Sequence, residues 1–219
     1  MKKLLLLILF LPAIATAQWS VTPEVGVLFS GATSEDMEFR TSDNQYISTE
    51  SLKSKFKTGY SFGCKVGYRI LFGLKFSSGI YYTNESYDFT SGWYSDDRSV
   101  RLVFFNIKYG SLSMPVLLGY EHYFGKVLLS ANAGAAYNYG LTLFVGDEAN
   151  AFPTLKGRNA VNIIADIGGG YKISERFVLK LMFDYSQRMG YFKFVGGDNN
   201  ITLGKPYHIG VKAGVEILL

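Results

Sequence analysis

Residues 207–219, YHIGVKAGVEILL, divide cleanly when taken two at a time. Tyr207, Ile209, Val211, Ala213, Val215, Ile217 and Leu219 fall on one side; His208, Gly210, Lys212, Gly214 and Glu216 fall on the other. Successive side chains of a strand point to opposite faces, so a period of two over this length predicts a strand rather than a helix. One face is wholly apolar and the other carries charge and glycine. The surroundings must suit both.

The same alternation recurs along the chain. In FVLKLMFDYSQRM, Phe177, Leu179, Leu181, Phe183, Tyr185 and Met189 oppose Lys180, Asp184, Ser186 and Arg188. In VNIIADIGGGYKI, Val161, Ile163, Ala165, Ile167, Tyr171 and Ile173 oppose Asn162, Asp166, Gly168, Gly170 and Lys172. VLLSANAGAAYNYGL and KTGYSFGCKVGYRI behave alike, the latter setting Tyr60, Phe62, Cys64, Val66 and Tyr68 against Gly59, Gly63, Lys65, Gly67 and Arg69. Three weaker segments complete a set of eight strands: WSVTPEVGVLFS, GLKFSSGIYY ending at Tyr82, and SLSMPVLLGYEHYF, where Leu117 interrupts the pattern.

The connections are informative in their own right. About residues 31–56, 90–101, 144–160 and 191–205 read as long polar loops, whereas the joints at Leu71-Phe72, Gly125-Lys126 and Ser174-Glu175 are a few residues each. Long and short connections alternate, which is the layout of an outer-membrane barrel with short periplasmic turns, longer external loops and periplasmic termini. The expected fold is all-β: an eight-stranded antiparallel up-and-down transmembrane β-barrel.

Charge decides which face looks outward. Glu24, Lys65, Arg69, Lys75, Glu121, Asp166, Lys172, Lys180, Asp184, Arg188, Lys212 and Glu216 all fall on the polar faces, and the apolar faces are nearly free of charge. The apolar faces end in rings. Trp19, Tyr68, Phe76, Phe124, Tyr171 and Phe177 lie toward the short turns, and Phe29, Tyr60, Tyr82, Tyr139, Tyr185 and Tyr207 lie toward the long loops. Two aromatic belts around a band of Val, Ile, Leu and Ala match the two interfaces of a bilayer. The apolar face is therefore expected to meet lipid and the charged face to fill the bore. Eight strands leave just enough room for side chains, and buried charges need partners, so the bore is expected to be plugged by ion pairs.

The opening MKKLLLLILFLPAIATAQ has the layout of a secretory signal peptide cleaved after Ala17, leaving residues 18–219 as the barrel. Taking Lys2 and Lys3 from 22 basic residues, against 18 acidic ones, leaves a mature charge of +2. Near-neutral charge without a basic stripe argues against a nucleic-acid partner. Cys64, the single cysteine, makes no internal disulfide and reads as a small apolar residue.

The stretch YGSLSMPVLLGYEHYFGK followed by LSANAGAAYNYGL, with the Met114-Pro115-Val116-Leu117-Leu118 core and the aromatic turn at Tyr123-Phe124-Gly125, resembles the small porin-like outer-membrane β-barrels of Bacteroidota, the PorT-like and OmpX-like proteins. The likeness covers the whole of residues 18–219. Lys212, Gly214, Ile217 and Leu219 are similar to the terminal signal read by the barrel assembly machinery, departing from it by ending in Leu instead of Phe. The resemblance implies an outer-membrane location in a Gram-negative envelope, contact with outer-membrane lipid and lipopolysaccharide, and help from periplasmic chaperones. It implies little about activity. External loops would then serve adhesion, surface protection or scaffolding of an envelope complex, and no cofactor is expected.

Some small outer-membrane barrels modify lipid A, a chemistry that requires His, Ser and an acid together. His208 with Ser186 and Asp184 is the stronger such cluster; His122, beside Glu121 and Tyr123 on the apolar side, is the weaker. The default reading of both histidines is structural. The loop VGGDNNITLG, residues 195–204, has the composition of a cation or glycan loop, but Asn and Gly favour turns for backbone reasons alone. The third reading, a soluble lipocalin-like carrier, requires the apolar rows to point inward.

Overall fold

The computed structural model describes residues 18–33, 38–40, 46–48, 53–94, 100–145, 155–156, 159–190, 193–196, 199–202 and 205–219. The segment read as a signal peptide, 1–17, lies outside them.

Eight long strands form a closed antiparallel barrel: β1 (Gln18–Thr33), β2 (Lys57–Arg69), β3 (Leu74–Tyr94), β4 (Val100–Phe124), β5 (Val127–Val145), β6 (Ala160–Lys172), β7 (Phe177–Arg188) and β8 (Lys205–Leu218). Each pairs with its neighbours in sequence, and β8 closes on β1, with Val21 opposite Ile217 and Val27 opposite Val211. No long edge is left open, the condition a sheet must meet in hydrocarbon, where each unpaired backbone group costs several kcal/mol. Gly125 in the β4–β5 turn has φ 64°, so a residue without a Cβ suits that tight joint.

The two-residue period sorts the faces as a barrel requires. Val25, Ile80, Leu118, Ile167 and Phe183 are exposed on the outside, while Glu24, Lys65, Lys75, Glu121, Lys180 and Glu216 are buried in the bore. A carrier with a greasy interior would show the reverse. Leu117, which interrupts the pattern in sequence, keeps its place on the inner face and is buried there. Inward glycines admit long neighbours: the Lys75 side chain lies over Gly67, where a Cβ would collide with it.

The long-loop end differs from the sequence reading. Residues 90–94 and 100–101, read as loop, are strand, since β3 and β4 stay paired out to Tyr94 and Val100. The other long connections carry short strands: Glu38–Arg40 with Tyr46–Ser48, Lys53–Lys55 on the β3 edge at Asp88–Thr90, and Leu155–Lys156 with Lys193–Gly196 and Asn199–Thr202. Above Tyr82 the chain is polar on both faces, so the hydrophobic period disappears although the backbone pairing continues.

Candidate functional site

The distinctive chemistry of the molecule is its lumen. Toward the short turns, four side chains form a closed alternating ring. Lys75 bonds Glu121 at 3.1 Å and also bonds Glu216; Lys180 bonds Glu121 at 2.5 Å and Glu216 at 2.9 Å. Arg69 adds a third cation, with Nη2 at 2.5 Å and Nε at 3.2 Å from Glu121 Oε2. Its Nη1 reaches the Gln18 amide oxygen at 3.4 Å, and Nη2 reaches the Tyr123 hydroxyl at 3.2 Å. Below the ring, Leu128, Val178 and Leu218 pack into a small apolar cluster with Tyr123. Removing one member of a buried pair leaves an uncompensated charge at a cost of roughly 3–5 kcal/mol, so the ring holds together as a unit.

Nearer the long loops, Glu24 pairs with Lys65 at 3.0 Å and accepts the Tyr81 hydroxyl at 2.7 Å. Asp184 holds Lys212 at 3.1 Å and His208 Nε2 at 3.3 Å, and His208 Nδ1 faces Glu85. The Tyr87 hydroxyl donates to Glu85 at 2.5 Å. Arg188 lies over the Tyr109 ring, 5.6 Å from its centre. Asp166 accepts a hydrogen bond from the Asn132 amide. Among these groups lies a cavity of about 40 Å³. A water needs at least about 10–15 Å³, so the space suits about three waters and not a continuous aqueous pore.

Most of the charges read as lumenal thus meet inside the bore: Glu24 with Lys65 and Asp184 with Lys212 between neighbouring strands, and Arg69, Lys75, Lys180, Glu121 and Glu216 in one cluster. Lys172 is the departure. It stays at the short-turn mouth and pairs with exposed Glu175 at 2.6 Å. It is the last residue of β6, so its long side chain reaches past the end of the wall.

Glu85 was not among the residues singled out from sequence, nor were the inward tyrosines Tyr81, Tyr87 and Tyr109. All four are buried. The signal was parity: Lys75, Ser77, Tyr81, Thr83, Glu85 and Tyr87 are all odd positions of one strand and all buried. The sequence reading stopped that strand at Tyr82.

The Ser186, Asp184 and His208 group is only partly assembled. Asp184 and His208 touch, and Ser186 stands opposite His208 in the β7–β8 register. The Ser186 hydroxyl, however, accepts a bond from the Asn162 amide at 2.9 Å. Each nitrogen of His208 faces a carboxylate, so the ring donates on both sides and offers no lone pair to a serine proton. His122 sits on the outer surface, 4.5 Å from the Phe124 ring and stacked with Tyr120 at 6.4 Å. Neither histidine has the surroundings of a general base.

On the outside, Trp19, Tyr60, Phe124, Tyr139, Tyr171, Phe177 and Tyr185 are exposed, and Tyr68, Tyr82 and Tyr207 are half-buried. Several meet across strands: Trp19 with Tyr68 at 4.8 Å near the short turns, and Tyr60 with Tyr82 at 6.2 Å and Tyr185 with Tyr207 at 6.5 Å near the long loops. Of the residues read as an assembly signal, Lys212 turns into the lumen toward Asp184, Gly214 packs against Glu24, and Leu219 is exposed.

Fold and lumen together define the class: an eight-stranded antiparallel β-barrel, apolar outside and ion-paired within. Comparison with solved structures agrees. The chain is similar to Neisserial surface protein A, NspA, at 16% identity and TM-score 0.50, covering 92% of this chain and 97% of that one. It is also similar to the outer membrane protein OprG from Pseudomonas aeruginosa, at 11% identity and TM-score 0.57, covering 92% and 96%. At these identities the likeness shows the fold alone. No protein-family model matches the sequence, and no curated protein matches it.

Proposed function

We propose that this protein is an integral outer-membrane barrel of a Gram-negative cell, non-enzymatic, with periplasmic termini, a bore plugged by ion pairs, and external loops that serve adhesion, surface protection or scaffolding of an envelope complex. One observation carries the reading: an exposed belt of Val, Ile, Leu and Phe encloses a lumen of paired charges. Only a nonaqueous exterior favours that arrangement. The resemblance of residues 18–219, carried chiefly by 109–126 and 129–141, to the PorT-like and OmpX-like barrels of Bacteroidota supports the same reading. On it, the belt meets lipid and lipopolysaccharide, periplasmic chaperones deliver the chain, and the assembly machinery reads Lys212, Gly214, Ile217 and Leu219. A protein partner would engage the loops.

A lipid A deacylase is one alternative, and the occupied nitrogens of His208 speak against it; the outward apolar rows speak against the other, a lipocalin-like carrier. Cell fractionation tests the main proposal. The protein is expected in the outer-membrane fraction, extractable only with detergent, and without large steady channels in planar bilayers. Recovery from the soluble periplasm, or stable large conductance, would overturn it. An altered lipid A mass profile that reverts in His208→Ala would restore the deacylase.

A further inference from the structure

We propose that the short-turn mouth of the barrel is an anion site that takes a phosphate group, and that Glu175 occupies it as the chain's own competing ligand. The argument begins with charge. The buried cluster holds three cations, Arg69, Lys75 and Lys180, against two carboxylates, Glu121 and Glu216. One positive charge is left over in a place where water is scarce, and such a charge draws an anion.

Arg69 is the member that reaches toward solvent, with its side chain 18% exposed against 4% or less for the other four. It borders a cavity of about 310 Å³ at the mouth, whose wall also includes Gln18, Tyr123, Gly125, Lys172 and Glu175. The pocket is rich in donors. Arginine has five N–H groups; two go to Glu121, one to Tyr123 and one, at 3.4 Å, to Gln18, which leaves one Nη1 hydrogen. Tyr123 and Gln18 receive those bonds on oxygen, so the Tyr123 hydroxyl hydrogen and the Gln18 amide hydrogens stay available. Lys172 supplies a second cation.

Donors arriving from four side chains suit a tetrahedral group with several oxygens, and arginine with lysine suits its charge. Glu175 is the one acid in the wall. It holds Lys172 at 2.6 Å, yet its own side chain is 92% exposed. An exposed pair of this kind is worth roughly 0–1 kcal/mol, so an arriving phosphate group displaces it readily. The site rests on the barrel mouth alone and stands or falls independently of what the long loops do.

The chemistry is shared by free phosphate and by phosphate on a lipid headgroup, and the test separates the two. The full barrel in a phosphate-free maltoside detergent is titrated with inorganic phosphate, following the Arg69 Nε–Hε resonance. A saturable shift is expected. Lys172→Gln should weaken binding and Glu175→Gln should tighten it, each by about two- to fivefold, the range an exposed ion pair gives. Both residues lie at the exposed turn, and unchanged thermal unfolding checks that the fold is retained. Absence of saturation in the wild type, or the same affinity in both variants, overturns the proposal. In the second arm the barrel is placed in bilayers of a phosphate-free galactolipid with and without phosphatidylglycerol. A shift that needs phosphatidylglycerol assigns the site to a headgroup, and a shift seen only with free phosphate assigns it to a soluble ligand.

Discussion

Lys180 Nζ lies 2.5 Å from Glu121 Oε1, although two strands, β5 and β6, stand between β4 and β7 in the barrel wall. Lys75 and Glu216, on β3 and β8, likewise bridge the bore past two intervening strands, β1 and β2. Since each carboxylate also touches the other lysine, the two bridges form one closed circuit. Both carboxylates are almost wholly inaccessible to solvent.

Glu216→Gln removes one corner of that circuit and leaves Lys75, Lys180 and Arg69 sharing Glu121. The expected loss is about 3–5 kcal/mol, the usual result of stranding a buried charge. Urea unfolding in micelles measures it. Removing Lys75 and Glu216 together, both to Met, should cost less than the two single losses added, because no further charge is then stranded. Additive losses would mean that the circuit is not closed in solution.

How much of this lumen was legible in the sequence depends on the link considered. Inwardness was legible for Lys65, Lys75, Lys180 and Glu216, because each stands in a strand whose other face is continuously apolar. Glu85 was not, because Asn84 and Ser86 flank it and the strand is polar on both faces there. Partnership across the bore was legible nowhere; only Asp184 with His208, on neighbouring strands, was grouped from sequence. Lys75 and Glu216 are far apart in sequence and meet only because barrel closure, with its particular stagger of strands, brings β3 and β8 within reach of each other inside the bore. Lys172 shows the same limit from the other side: its parity is lumenal, but its position at a strand end takes the ammonium out to Glu175.

Tyr81→Phe deletes the 2.7 Å bond to Glu24 while leaving the ring in place. A hydrogen bond to a charged group contributes about 1.5–3 kcal/mol. Glu24 keeps Lys65, so a loss near the lower end, about 1.5 kcal/mol, is expected in the same unfolding assay. Tyr123→Phe is a useful contrast, since the hydroxyl there is only one of several partners of Arg69 and the loss should be smaller.

Gly210→Ala tests how tightly the bore is filled. A Cβ at Gly210 would stand 2.5 Å from Asp184 Oδ1 and 2.8 Å from Leu28 Cδ2, so the Asp184–His208–Lys212 group must shift. Overpacking of this kind costs about 1–3 kcal/mol. At Gly169 the nearest atoms to a Cβ are Leu128 O at 3.1 Å and Leu129 Cδ2 at 3.8 Å, which a small adjustment accommodates. Gly169→Ala should therefore lie within about 0.5 kcal/mol of the wild type. Equal effects at the two glycines would show that the lumen is looser than its contacts indicate.

The lipid-facing assignment has its own quantitative signature, because the cost of a charge in a bilayer depends on depth. Ile167 sits midway along β6, 64% exposed, opposite Ala131 on one side and Phe183 on the other. Ile173 is as exposed, at 61%, but lies just beyond the end of β6, next to Tyr171 of the aromatic belt. On the outside of a soluble barrel the two positions are equivalent, and arginine at either would change stability by no more than about 0.5 kcal/mol. In a membrane they differ: Ile167→Arg should cost about 2–4 kcal/mol and Ile173→Arg about 0–1 kcal/mol. Reversible unfolding from phospholipid vesicles reads the difference directly. Tolerance of arginine at both positions would mean that water, and not hydrocarbon, covers the Val-Ile-Leu rows, and the paired charges of the lumen would then need another explanation.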